Sequence, residues 1–310
     1  MKFGMIPSPP DERDYPLAKA VAYAAAPIVN RIVRYLPEPV NQGATMTCMA
    51  VTLAGILEAI ELKQRGVRVP ISAKYIYGNR PDTAFQGEGM IPREAFQQAT
   101  RYGAPRADLL PGLSDYPASK AAITPALDGE GIPNRIKGYA RLSSLQDISD
   151  YLTLYDVPCM LGLMVYDNFM DPGPDGIVPA PAGNLLGGHA MRCIGIVNGR
   201  AVVQNSWGTE WGNSGIGYID LSQHKGWEAW GAIPEESDTL ITRPQEVFLT
   251  LGKASMMVDG RQVALDVAPF VKDGRTFLPL RALAEILGAE VEFTSVPGGG
   301  YILLRWGGEQ

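Results

Sequence analysis

The sequence has 310 residues, of which 46% are hydrophobic and 19% charged, and its net charge is −6. This composition is typical of a globular chain that is long enough for two domains. The negative charge and the lack of a Lys/Arg block argue against electrostatic nucleic-acid binding. The longest apolar stretch, residues 19–29, contains Pro27 and is too short to span a bilayer, so we predict no membrane span.

The first 38 residues are rich in proline and predict an arm that lies over the following domain. Asp11, Glu12 and Asp14 precede the apolar stretch, where a secretion signal would be basic. No signal peptide is therefore visible. We expect a protein that is cytoplasmic or released without a classical signal.

Helical patterns come next along the chain. Apolar spacing predicts a helix from Cys48 to Gln64, with Gly66 as its C-cap. A second helix is predicted over Arg93–Arg101, after Pro92, and a third over Ser144–Leu154, with Ser143 or Ser144 as N-cap.

Strand patterns follow Pro158. We predict strands over 159–166, 190–197, 201–204 and 215–220, with a tight Asn198-Gly turn before the third. Helices first and strands second indicate an α+β domain with a cleft between its halves.

A polar segment, residues 237–245, predicts a linker to a second domain over 246–310. The pattern of residues 246–310 predicts a compact α+β module. Its predicted elements are short strands at 247–251 and 255–258, hairpin-type turns at Asp259-Gly and Asp273-Gly, a helix over 279–287, and strands at 291–294 and 301–306.

Cys48 opens the first long helix, where free backbone amides and the helix dipole favour a thiolate. A nucleophilic thiolate also needs a base, and His189 is the better candidate because His224 lies in a polar context, Ser222-Gln-His-Lys. One imidazole can take the thiol proton and later donate it to the leaving amine.

Three further residues complete this arrangement. Asn205 would orient the second ring nitrogen of His189, and Trp207 would shelter that bond from water. The Gln42 amide and the Cys48 N–H can stabilise an oxyanion if Gly43 allows a tight approach.

These residues resemble the papain family of cysteine peptidases: Gln42-Gly, Cys48, His189-Ala, Asn205-Ser-Trp-Gly and Trp211-Gly occur in the family's order. The resemblance covers about residues 35–235, and we predict a peptidase domain over 39–236. It implies a papain-like two-lobed fold, with a helical lobe and an antiparallel β-barrel lobe, and a peptide or protein substrate. Gly87-Glu-Gly-Met-Ile resembles the stretch that pairs with substrate as an added strand. The resemblance thus implies substrate contacts at Gly89, Met90, Gly188 and Trp207.

The chain departs from the family signature Cys-Gly-Ser/Ala-Cys-Trp/Tyr, because Thr45 stands in place of its first cysteine and Met49 in place of its aromatic residue. Cys159 and Cys193 are expected to be buried, reduced thiols. Two histidines and three cysteines predict no zinc site, and we expect no cofactor.

The first 38 residues leave no room for a long inhibitory propeptide, which favours a prokaryotic branch of the family. We hypothesise that this N-terminal arm covers the cleft.

Residues 246–310 resemble the copper amine oxidase N-terminal-like, or stalk, domain through Val258-Asp-Gly-Arg-Gln-Val, 271–281 and 286–293. This segment contains no His or Cys and therefore offers no copper ligand set. The resemblance implies an accessory or adhesion module that contacts a component of the bacterial cell envelope.

The sequence therefore predicts an endo- or exopeptidase that acts through a Cys48 thioester. Two alternatives stay open: a catalytically idle papain-like binding protein, and acyl transfer to an amine by the same residues.

Overall fold

The computed structural model describes residues 2–12, 14–20, 28–81, 87–235, 247–258, 261–265, 267–273, 275–280, 289–296 and 299–306. The chain divides into two compact units. The described residues of the larger unit lie within 1–236, and those of the smaller unit lie within 237–310.

The larger unit carries its helices mainly before its sheet, as predicted. The helices are α1 (Leu17–Ala20), α2 (Cys48–Arg65), α3 (Ala73–Gly78), α4 (Pro92–Arg101), α5 (Tyr116–Ala121), α6 (Pro125–Gly131) and α7 (Leu145–Tyr155). The strands are β1 (Arg31–Ile32), β2 (Ile136–Leu142), β3 (Cys159–Tyr166), β4 (Leu185–Val197), β5 (Arg200–Gln204), β6 (Ile216–Ile219) and β7 (Glu228–Pro234).

One predicted cap of each of two helices is confirmed. Helix α2 begins at Cys48 and ends at Arg65, and its C-cap Gly66 takes the left-handed conformation (φ 67°) and donates its N–H to the Leu62 carbonyl. Ser144 caps α7 by accepting a hydrogen bond from the Asp147 N–H.

The strands of the larger unit form an antiparallel sheet in the order β2-β7-β3-β4-β5-β6, and β1 also pairs with β4. Helix α2 is buried over most of its length and packs against β4. Because α2 begins at Cys48 and β4 contains His189, this packing joins the elements that carry the nucleophile and base candidates. The mixture of helices and an antiparallel sheet confirms the α+β class.

Several strands of the larger unit differ from the sequence prediction, and the two-residue strand β1 was not predicted. Strand β4 begins at Leu185, five residues before the predicted start, because Gly187 and Gly188 pair with β3 although they interrupt the apolar pattern. Strands β2 and β7, which pair with each other, were not predicted. Their sequences contain charged residues, glycine and proline, so their pairing depends on tertiary contacts more than on a local pattern.

The smaller unit contains β8 (Val247–Leu249), β9 (Ser255–Val258), β10 (Arg261–Ala264), β11 (Phe270–Lys272), β12 (Arg275–Phe277), β13 (Ala289–Val296) and β14 (Gly299–Trp306). Strands β8, β9 and β10 form one antiparallel sheet, and two hairpins pair β11 with β12 and β13 with β14. The predicted linker, the Asp259-Gly turn and residues 281–287 of the predicted helix lie outside the described residues.

Candidate active site

His189, on β4, and Asn205, directly after β5, form a buried hydrogen-bonded pair. The His189 Nε2 lies 2.7 Å from the Asn205 Oδ1, which also accepts the Ser206 N–H at 2.7 Å. An amide oxygen only accepts hydrogen bonds, so Nε2 carries the ring proton. The neutral ring therefore presents Nδ1 as its base, and this buried atom has no hydrogen-bond partner among the described residues.

Aromatic rings enclose this pair. Trp207 stacks on the His189 ring, with centroids 4.5 Å apart and planes 23° apart. Phe169 meets the edges of both rings and stacks on Trp211. These rings lie around the His189–Asn205 bond, and both residues are buried; the role of Trp207 in sheltering this bond stays a prediction.

Cys48 is fully buried at the first position of α2. The backbone amides of Ala190 and Gly4 hydrogen bond to its thiol and lower its pKa, but burial has the larger effect and raises the pKa above its usual value. Burial likewise lowers the pKa of His189 to about 4, and its bond to Asn205 opposes this only partly. The position of Cys48 at the start of α2 predicted a lowered thiol pKa. This is not found in the arm-covered form, because the thiol is buried there.

Gln42 is held beside the start of α2 by both ends of its amide. Its Oε1 accepts a hydrogen bond from the Ser206 hydroxyl at 2.6 Å. Its Nε2 donates to the Thr45 carbonyl at 2.8 Å and to the Lys2 carbonyl at 3.3 Å. Gly43, which follows Gln42, takes the left-handed region at φ 61°, and a Cβ there would meet nothing within 4 Å, so the turn requires glycine and no tight approach is found.

The N-terminal arm occupies the cleft as an added strand. The Met5 N–H donates to the Gly188 carbonyl at 3.0 Å, and the Ile6 N–H donates to the Met90 carbonyl at 3.0 Å. The Met90 N–H in turn donates to the Gly4 carbonyl at 2.7 Å. Residues 4–6 therefore run parallel to the segment at Met90 and antiparallel to β4 at Gly188.

The cleft walls fit this strand closely because they are glycine. A Cβ on Gly89 would lie 2.6 Å from the Gly4 oxygen, and a Cβ on Gly188 would lie 2.2 Å from the Met5 oxygen. Met5 is almost completely buried, and the Phe3 ring meets the edges of His189 and Trp207. All eight predicted site residues therefore lie around one cleft.

Sequence reasoning missed two contributors to this site. Ser206 orients the Gln42 amide, and its place inside Asn205-Ser-Trp was the signal that could have identified it. Phe3, Gly4 and Met5 fill the cleft, although the sequence suggested only that some part of the arm covers it. Nothing in a short Phe-Gly-Met segment indicates which surface it binds.

Among the described residues, no group of three or more His, Cys, Asp or Glu is arranged to hold a metal ion. No helix in the described part of the chain has both the length and the apolarity needed to cross a membrane.

The fold around this cleft is similar to that of solved papain-like cysteine proteases. Xylellain, a cysteine protease from Xylella fastidiosa, has a TM-score of 0.64 and 19% identity, over 76% of this chain and 96% of that one. The proCathepsin B S9 structure from Trypanosoma congolense has a TM-score of 0.58 and 20% identity, over 76% of this chain and 87% of that one. The predicted papain-like fold is thereby confirmed.

A protein from Blomia tropicalis named "Cysteine protease" is 27% identical over 194 residues. The match covers 58% of this chain and 56% of the relative, so the chain spans little more than half of that curated protein. Residues 234–296 match the model of the copper amine oxidase N-terminal domain. The predicted resemblance of the C-terminal segment is thus confirmed as well.

Proposed function

We propose that this chain is a cysteine peptidase whose catalytic domain is residues 39–236, preceded by the arm (1–38) and followed by the linker (237–245) and the stalk-like domain (246–310). Cys48 is the nucleophile and His189 the general base and acid. Asn205 orients His189, and Gln42 donates to the oxyanion. Gly89, Met90, Gly188 and Trp207 form the walls that receive the substrate.

The observation that carries this proposal is the peptide backbone that already lies across the cleft. The Lys2 carbonyl accepts a hydrogen bond from the Gln42 amide, and the Gly4 amide hydrogen bonds to the Cys48 thiol. Main-chain groups are common to all peptides, so a cleft that binds them fits a peptide substrate of varied sequence.

In the proposed reaction, His189 Nδ1 takes the Cys48 proton as sulfur attacks the substrate carbonyl carbon. The oxyanion accepts hydrogen bonds from Gln42 and the Cys48 N–H. When the C–N bond breaks, His189 returns the proton to the leaving amine, which leaves a thioester on Cys48. Water, deprotonated by His189, then attacks the thioester. The acid product and the free thiol are released.

Intact-mass measurement with an epoxysuccinyl cysteine-peptidase inhibitor tests the nucleophile. We expect one adduct per chain and no adduct in Cys48→Ser, and once the arm is displaced the adduct should form faster than iodoacetamide labels a free thiol. Cys159→Ser is the matched control, because it removes another buried cysteine and should leave labelling intact. The test includes a Gly4→Ala form, in which the added methyl group opposes docking of the arm. No adduct in that form would favour the idle papain-like fold.

Hydrolysis and acyl transfer share the same thioester and differ in the acceptor. Adding a peptide amine to the reaction distinguishes them, because a transferase would form a new peptide bond in preference to the free acid.

The contact of residues 246–310 with a cell-envelope component stays a prediction. Pull-down of purified envelope by the full chain, compared with a chain that ends at residue 236, would measure it.

A further inference from the structure

Arg192 is a buried cation in the middle of the catalytic domain, three residues after His189 on β4. Its side chain is about 1% exposed, and burial lowers its pKa to about 10, although the nearby Glu58 carboxylate opposes this shift. Such burial costs free energy, and apolar residues of similar volume often replace buried ion pairs without loss of stability. A role in stability alone is therefore a weak explanation for this arginine.

Arg192 links segments that carry three of the proposed catalytic groups, two through its guanidinium and one through the pairing of its strand. Its Nη1 donates to the Val51 carbonyl of α2 at 3.3 Å, one turn after Cys48. Its Nη2 donates to the Glu38 carbonyl at 3.5 Å, four residues before Gln42. On the sheet, Arg192 is in register with Gln204, the neighbour of Asn205.

Gly55 makes room for this side chain in the middle of α2. A Cβ on Gly55 would lie 2.3 Å from the Arg192 Nη1 and 2.8 Å from its Cδ. Glycine costs about 1 kcal/mol relative to alanine inside a helix. Its presence in an 18-residue helix is explained by the arginine.

Two points of contact fix α2 on β4. At its first residue, the Cys48 thiol receives the Ala190 N–H, and two turns later Gly55 rests on Arg192. Residues seven apart lie on the same face of a helix, roughly 10 Å apart along its axis. Two such contacts on one face fix both the position of the helix and its rotation about its axis, and the rotation sets the direction of the Cys48 sulfur.

We infer that Arg192 is a positioning residue. By packing against Gly55, it holds α2 in the orientation about its helix axis that directs the Cys48 thiol at His189. This inference rests on the proposed function, since it concerns the same nucleophile and base. A displacement near 1 Å at the reacting atoms can lower the rate of a reaction by about 100-fold.

The test compares Arg192→Met and Arg192→Lys in the full chain that carries Gly4→Ala, with Arg106→Met as the matched control. Arg106 pairs with Asp108 on the surface, so its loss should change nothing. For Arg192→Met we expect kcat for peptide hydrolysis to fall by roughly 100-fold, with KM unchanged within about twofold. Because lysine keeps the cation but has one donor group, Arg192→Lys should recover part of this loss.

The pH profile of Cys48 alkylation by iodoacetamide gives a readout that does not depend on peptidase activity. The Arg192→Met protein should show a higher apparent thiol pKa than its parent, closer to the value of about 8.5 for a free cysteine, because the thiolate loses its alignment with His189. An unchanged kcat and an unchanged profile in Arg192→Met would overturn the inference, whatever happens to Tm.

Gly55→Ala supplies a second route if Arg192→Met fails to fold. The new methyl group displaces the guanidinium, so we expect a similar loss of kcat, and the double variant Arg192→Met/Gly55→Ala should lose less than the sum of both single effects. Additive losses would contradict the shared role. If the Gly4→Ala parent neither hydrolyses peptide nor reacts with the epoxysuccinyl inhibitor, the proposed function fails, while the alkylation profiles still report the positioning.

Discussion

Two parts of the N-terminal arm are bound in different ways. Residues 2–6 contact the cleft mainly through main-chain hydrogen bonds, whereas Ser8 and Asp14 pair with charged side chains of the domain. The Asp14 carboxylate pairs with Arg93 at 2.6 Å and with Arg141 at 2.9 Å, and the Ser8 N–H donates to the buried Glu228 carboxylate at 3.2 Å.

This difference separates general recognition from specific anchoring. The cleft binds groups that every peptide has, so the arm competes with any substrate for the same sites. The contacts of Ser8 and Asp14 with charged side chains of the domain form the anchor of the arm, and a free peptide does not supply these contacts. We therefore predict that the arm inhibits the enzyme until it is displaced.

The largest effect should come from Gly4→Ala, which disrupts the cleft part of the arm. The new Cβ would lie 1.8 Å from the Met46 carbonyl oxygen, which belongs to the backbone and cannot move aside cheaply. This overpacking should destabilise the docked arm by a few kcal/mol relative to the displaced arm. Cys48 is then accessible more often, so we expect the epoxysuccinyl inhibitor to label it roughly 100-fold faster. Gly129→Ala is the control, since a Cβ there meets nothing within 4 Å. Equal labelling rates for all three proteins would show that the arm does not restrict access.

Helix α2 and the arm show how far sequence reasoning reaches. Both ends of α2 follow from local signals: apolar spacing from Cys48 and a left-handed Gly66 after the last turn. The catalytic candidates were identified from residue types in a characteristic order. The contact between Met5 and Gly188 could not be predicted, because it joins residues far apart in sequence and depends on the shape of the folded cleft. The burial of Arg192 was hidden for the same reason, since one arginine in an apolar strand has no local signature.

A second prediction concerns pH and the docked arm. The pKa of His189 is about 4 in the arm-covered form, and exposure to water should bring it toward its ordinary value near 6.5. The covered form thus binds fewer protons between these pH values, so its stability relative to the open form is present above pH 6.5 and is lost as pH falls toward 4. Acid should therefore open the cleft.

The measurement is the ratio of epoxysuccinyl labelling rates, Gly4→Ala over the unsubstituted chain, from pH 7.5 to 5. Taking the ratio cancels the intrinsic pH dependence of the thiolate. We expect the ratio to decrease by up to about tenfold for each pH unit below 6.5. A ratio that stays constant, or rises, as pH falls would contradict this reading of His189.

The anchor should give a smaller effect than the cleft contacts. Asp14→Asn removes a charge that pairs with Arg93 and Arg141, and hydrogen bonds to charged groups contribute roughly 1.5–3 kcal/mol. We expect labelling of Cys48 to accelerate by about tenfold. Asp108→Asn is the matched control, because its pair with Arg106 is exposed and distinct from the arm contacts. If Asp14→Asn matches its parent while Gly4→Ala is fast, the anchor is dispensable and the main-chain contacts alone hold the arm.

The central claim is that Cys48 forms a thioester with a peptide acyl group. Rapid quenching of the Gly4→Ala enzyme during turnover of a peptide ester, followed by intact-mass analysis and mapping, tests it directly. We predict a mass increase equal to the acyl group of the substrate, located on Cys48, absent in Gly4→Ala/Cys48→Ser and present in Gly4→Ala/Cys159→Ser. Turnover without this adduct in all three proteins, or with the acyl group on another residue, would contradict the account.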